Sequence, residues 1–402
     1  MNLPLVPAES NVPQSTSVDW KQLWSLDPSM KFLNHGSFGA CPVAVLEQQQ
    51  ALRQQLEAEP VRFFARELEP LLDAARTELA QFVGADPENL AFVPNATTGV
   101  NTVLRSLSLQ PGDQLLTTDH EYNACRNALN AIAAQTGAQV VVAQMPFPLE
   151  SAEQVFEAVL SRVSTKTKLL LIDHVSSQTA LVMPIEAIAK TLFTHGIDTL
   201  VDGAHAPGMV PLELESMGVT YYTGNCHKWL CAPKGAAFLY VKQERRSQVR
   251  PLVISHGANS PRTDRSFFRL EFDWTGTSDT TPFLCVTEAI RVMGGLLLGG
   301  WPELMQQNRA KALAARQILC NALKVEPPCP ESMIGSMAAV PLPGGCAETL
   351  YNALFHRYQT EVPVIPWHPA PNRLLRVSAQ LYNALAEYDQ LASALVTLLA
   401  DE

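Results

Sequence analysis

An acidic residue closing an apolar run, with a lysine and a tryptophan 26 positions further on, can hold an aldehyde cofactor. The acid is Asp202, in Val201-Asp202-Gly203-Ala204-His205, and the lysine is Lys228, in Asn225-Cys226-His227-Lys228-Trp229. A lysine that attacks an aldehyde must first shed a proton, and burial beside Trp229 and Leu230 favours its neutral form. A carboxylate at the end of a buried strand is costly unless a donor or cation meets it. A protonated pyridine nitrogen is such a partner, and together the two residues suit pyridoxal 5′-phosphate (PLP), an electron sink that needs an acid against its ring nitrogen. Taken alone, Asp202-Gly203 is also an ordinary turn. A third segment, Asn95-Ala96-Thr97-Thr98-Gly99, follows a strand and opens a helix. Free backbone N–H groups there suit a phosphate, although Asn95 or Thr97 would serve equally as a plain N-cap. No metal is expected: His195, His205 and His227 are widely spaced and no cysteine or carboxylate pattern joins them. Neither G-x-G-x-x-G nor a P-loop follows a strand.

The elements that must place these residues alternate from Leu90 to Val241. Strands are predicted at 90–94, 114–118, 138–143, 166–175, 197–201, 219–223 and 235–241, and helices at 97–107, 123–135, 151–163 and 184–195. Apolar strands separated by helices of this length predict a mainly parallel sheet covered on both faces. Ligands of such sheets collect at the carboxyl ends of the strands, where all three segments lie. Beyond about Cys285 helical periodicity dominates, ending in a helix over 385–400. The chain thus divides into a leader (1–30) packing on the small domain, a large cofactor domain (31–285) and a small C-terminal domain (286–402).

Composition narrows the partners. The 402 residues are 47% hydrophobic, with a formal charge of −10. No net positive field exists to recruit nucleic acid. The apolar stretches are too short to span a bilayer, and the opening MNLPLVPAES lacks the basic and apolar regions of a signal peptide. Eight cysteines without a C-x-x-C pair fit reduced thiols in a cytoplasmic protein.

From about Phe32 to the last helix the chain resembles the class V aminotransferases, and within them the isopenicillin N epimerase-like branch. The resemblance rests on Asn34-His35-Gly36-Ser37-Phe38-Gly39, Asn95-Ala96-Thr97-Thr98, Asp119-His120-Glu121-Tyr122-Asn123-Ala124, Asp202-Gly203-Ala204-His205-Ala206 and His227-Lys228-Trp229-Leu230. It implies a fold-type I PLP enzyme: an α/β large domain with a mainly parallel seven-stranded sheet, a smaller α+β domain, and a homodimer with shared active sites. It implies Lys228 as the Schiff-base lysine, Asp202 as the pyridinium partner and His205 near the phenolic oxygen. Thr97, with the Ala96 and Thr98 backbone and His227, resembles the phosphate side, and Asn225 is a further cofactor-binding residue. Tyr122 matches a ring stacked on the pyridine, and Ser177 stands where many relatives carry asparagine or threonine. Thr277, in Thr275-Gly276-Thr277, resembles a contact to the partner's phosphate, and Arg376 the arginine that holds the substrate carboxylate, with Asn34, His35 and Ser37 nearby. The stretch 362–373, VPVIPWHPAPNR, lacks the mobile cysteine of the cysteine desulfurases. The small amino-acid substrate would lose its Cα proton. Reprotonation from the other face, by Tyr122 or His35, gives an epimerase, the first expectation. A C–S lyase comes second and an aminotransferase third, with a non-catalytic binding module last.

Overall fold

The computed structural model describes residues 19–402; the first part of the expected leader, 1–18, lies outside them. Seven strands form the central sheet: β1 (Leu90–Val93), β2 (Gln114–Thr118), β3 (Gln139–Ala143), β4 (Thr167–Asp173), β5 (Asp198–Asp202), β6 (Tyr221–Asn225) and β7 (Ala237–Val241). Their order is β1-β7-β6-β5-β4-β2-β3, and β7 alone runs against the others. Strands β4 to β7 are almost wholly buried, because helices cover both faces. Those helices include α1 (Val43–Ala58), α2 (Leu68–Val83), α3 (Ala96–Ser106), α4 (Asn123–Thr136), α5 (Ala152–Leu160) and α6 (Ile185–Thr194). The chain returns from β3 across β2 to β4, so the direction of strand addition reverses between β2 and β4. The crevice at such a reversal is where open α/β sheets bind ligands.

Three strand ends differ from expectation in ways that bear on the site. The fourth strand closes at Asp173, two residues early, because His174 and Val175 turn into a loop bridged to Val182. The fifth includes Asp202 as its last residue. The sixth is shifted to Tyr221–Asn225, which makes Asn225 its last residue.

After α7 (Phe267–Phe272), α8 (Val286–Gly294) packs back on α1 and α2. The long α9 (Gly300–Leu323) then leads to a three-stranded antiparallel sheet of β8 (Met337–Leu342), β9 (Val364–Pro366) and β10 (Arg373–Ser378), flanked by α10 (Ala347–Tyr358) and α11 (Leu385–Ala400). The N-terminal side of the described chain joins this part. Lys21 pairs with Glu387 at 2.7 Å, Trp24 packs edge-on against Tyr382, and Lys31–Phe32 forms a parallel ladder with Thr360–Glu361. Residues 31–32 therefore pair with the C-terminal part, while α8 packs on α1 and α2 as well as on α9.

Candidate active site

One cavity at the carboxyl ends of β1, β4, β5 and β6 gathers Ala96, Thr97, Tyr122, Ser177, Asp202, His205, Asn225, His227 and Lys228, together with Ser37, Phe38 and Asp173. It is smaller than a cleft beside Cys41 and Lys234 (≈140 against ≈450 Å³), so the chemistry of its walls, not its size, marks it.

Lys228 follows β6 on a turn whose Trp229 and Leu230 are fully buried. Gly39 allows that turn its place: at φ +70°, a Cβ there would stand 2.2 Å from the His227 carbonyl oxygen. Lys228 Nζ lies 3.1 Å from His205 Nε2. Burial lowers the lysine's pKa to about 8, against the opposing pull of Asp202 and with help from Arg376. A substantial share of the amine is neutral near physiological pH, as aldehyde capture requires.

Asp202 is buried, with its oxygens accepting from the Ala204 N–H (2.9 Å) and the Cys125 thiol (3.0 Å). Asn225 Oδ1 accepts from the Ala96 N–H at 2.8 Å and ties β6 to the start of α3. Asn95 caps Thr98 through both its N–H and its hydroxyl. Thr98 therefore faces a neighbouring cleft, while Ala96 and Thr97 face the cavity. His227 gives Nδ1 to the Ala236 carbonyl (3.0 Å), leaving Nε2 for the cavity.

Arg376, on β10, is 3% exposed. Its fork donates to the Ser177 carbonyl (2.5 Å), Ser37 Oγ (2.8 Å) and Asn34 Oδ1 (3.2 Å), and its Nε has no partner. No carboxylate neutralises it among the described residues. A buried guanidinium without a counter-ion suits a substrate carboxylate, whose two oxygens match the fork.

Two expected residues stand elsewhere. His35 is fully buried behind Lys228, with Nδ1 2.8 Å from the Tyr382 hydroxyl and Nε2 3.1 Å from the Lys228 carbonyl. Burial drops its pKa to about 3. It holds the lysine turn and does not line the cavity, which corrects its reading as a proton donor to the substrate. Thr277 lies beside the cleft at Thr98 and Gly276, outside its own chain's cavity. Asp173 and Glu121 were missed as functional groups. Asp173 is the last residue of a buried strand, the same signal that singled out Asp202.

These walls fit PLP. The start of α3 and His227 supply anion donors, Asp202 an acceptor for the ring nitrogen, and Lys228 the amine for its aldehyde. Fold and site together define a PLP-dependent enzyme of fold type I. Residues 39–324 match the family model Aminotransferase class-V, and the chain belongs to that family. It is 36% identical to isopenicillin N epimerase of Amycolatopsis lactamdurans, over 93% of this chain and 96% of that one. It is 27% identical to a probable chloroplastic L-cysteine desulfhydrase of Arabidopsis thaliana, over 93% and 84%. Among solved structures, the cystine C–S lyase C-DES in complex with cysteine persulfide is similar in fold, with a TM-score of 0.77 at 22% identity over 91% of this chain and 97% of that one.

Proposed function

We propose that the enzyme is an amino-acid epimerase or racemase. The observation that carries this reading is the rank of its relatives: isopenicillin N epimerases at 36% and 33% identity, ahead of a desulfhydrase at 27%. When bound, PLP supplies an electron sink that makes a substrate Cα–H acidic. The chain's own residues would then decide the outcome. Arg376, steadied by Asn34, Ser37 and Ser177, clamps the substrate carboxylate and so orients Cα. Lys228 holds the cofactor at rest and moves the Cα proton on its own face. Tyr122, 45% exposed at the start of α4, has a hydroxyl free to serve the other face. His205 accepts from Lys228 and holds its amine.

A C–S lyase acting on a cysteine derivative is the second reading, favoured by the desulfhydrase relatives. Incubation with L-amino acids and cysteine conjugates in D₂O separates the two. Deuterium at Cα with inversion supports the epimerase; pyruvate and ammonia support the lyase. We propose further that two copies form a dimer in which Thr277 meets the partner's phosphate. Support comes from the half-exposed Leu252 and Val253, which line the cleft beside Thr277, and from Thr277's place outside its own cavity. A fully active, PLP-loaded monomer in sedimentation at micromolar concentration would sink this idea.

A further inference from the structure

Three carboxyl groups, not one, gather at the strand ends beside Lys228. Asp173 ends β4 and Asp202 ends β5, and the two are register partners on adjacent parallel strands. Register partners project from the same face of a sheet, so the two side chains stand side by side. Glu121, on the turn after β2, completes the group: one of its oxygens, the Cys125 sulfur and an Asp202 oxygen all lie within 4.8 Å of one another. All three carboxyl groups are buried. Among the described residues no cation lies within ion-pair distance of any of them, and the donors that face them are the Thr117 hydroxyl to Glu121 (3.2 Å), the Tyr122 N–H to Glu121 and Asp173, and the Cys125 thiol and Ala204 N–H to Asp202. Glu121 Oε1 and Asp173 Oδ2 have no hydrogen-bond partner among the described residues.

Three charges in that space would each bear the cost of burial and repel one another, and the positive charges that face them, Lys228, Arg126 and a bound ring nitrogen, form no ion pair with Glu121 or Asp173. A buried oxygen without a donor is satisfied once a neighbouring acid carries a proton. We propose that Glu121 and Asp173 are neutral carboxylic acids that share their protons with Asp202, leaving one negative charge to face the pyridine nitrogen. Both groups are pushed well above the usual carboxylate range, first by burial and then by the neighbouring carboxylates. Donors of this kind, aimed at the Asp202 carboxylate, would favour keeping the contested proton on the ring nitrogen, where the electron sink needs it. Asp173 and Glu121 are thus positioning residues for a proton, acting through Asp202. Other titratable groups facing the cluster are Lys228, Cys125, Arg126 and Tyr222. A divalent cation at Glu121, Cys125 and Asp202 would use the carboxylate that the ring nitrogen requires, which disfavours a metal there.

The inference rests on PLP occupancy, which the visible band of the wild-type protein reports separately, and not on the reaction that follows. The test is the infrared difference spectrum of PLP-loaded wild type minus Asp173→Asn at neutral pH. The expected loss is the carbonyl stretch of a protonated carboxyl; loss of an ionised carboxylate band overturns the proposal. Should Asp173→Asn prove insoluble, Glu121→Gln carries the same comparison. In addition, replacing a neutral acid by an amide leaves the pH midpoint of the visible band within about 0.3 unit, whereas removing an ionised neighbour lowers it by about one unit or more. Loss of PLP from Asp173→Asn, or zinc uptake by the PLP-loaded protein that Cys125→Ser abolishes, also overturns it.

Discussion

Around α7 the buried charges meet their opposites: Arg269 contacts Asp73, Glu88 and Asp273, Arg76 contacts Asp73 and Asp273, and Arg265 reaches Asp73 at 2.8 Å. Around Lys228 the pattern is reversed. Among the described residues Arg376 has no carboxylate, Asp202 has no cation within ion-pair distance, and Lys228 Nζ has only an imidazole. A buried ion pair is held because removing one partner strands the other; a buried single charge is a standing cost that only a ligand relieves. The α7 network anchors the segment leading to Thr275–Thr277, whereas the charges of the cavity are kept open for a phosphate, a ring nitrogen and a carboxylate.

The contrast can be broken at either end. The largest effect belongs to Lys228→Ala, which removes all turnover and the visible band; borohydride reduction of the wild type followed by peptide mapping checks it, and a label on Lys234 refutes the assignment. Asp202→Asn keeps the shape of the site but loses the charge opposite the ring nitrogen. Removing such a partner costs about 3–5 kcal/mol, so turnover falls roughly a hundred- to a thousandfold or more. Arg76→Met leaves Asp273 to Arg269 and Arg265 and removes one buried partner, lowering unfolding stability by about 1–3 kcal/mol in a urea melt. Arg376→Met, by contrast, removes an uncompensated charge: the substrate-free protein melts no lower than wild type, while KM for the amino acid rises about tenfold or more with kcat less affected. Equal loss of stability in the two arginine variants would erase the distinction.

The pH dependence of cofactor capture sharpens it further. With the Lys228 pKa lowered to about 8, reconstitution of PLP-free protein speeds up about tenfold per pH unit below that value and levels off above it. The sign follows from the base being depressed in the folded state: between pH 8 and the ordinary lysine value the unfolded chain binds more protons, so PLP-free stability rises with pH across that window. The smallest effect is expected at the surface, where Lys190→Met in the exposed pair with Glu186 changes stability by less than about 0.5 kcal/mol.

The seven strands of the large sheet and the last helix were legible in the sequence, and Lys228 and Asp202 stood out there as candidates, because each is written in neighbouring residues. Period and length mark a strand or a helix, and an acid or lysine at the end of an apolar run stands out against local composition. Arg376 and Tyr122 were read only through family resemblance, since nothing adjacent to them announces a role. What tertiary structure alone decided is adjacency across the chain. Arg376 meets Asn34 across 342 positions of sequence, and His35, part of a matching motif, is turned behind the lysine by Tyr382. Asp173 and Asp202 become neighbours only because β4 and β5 align in register, and Glu121 joins them because β2 lies next to β4. Burial of a charge is a property of everything packed around it, so the sequence could name the ionisable groups but only the fold could leave some paired and others open.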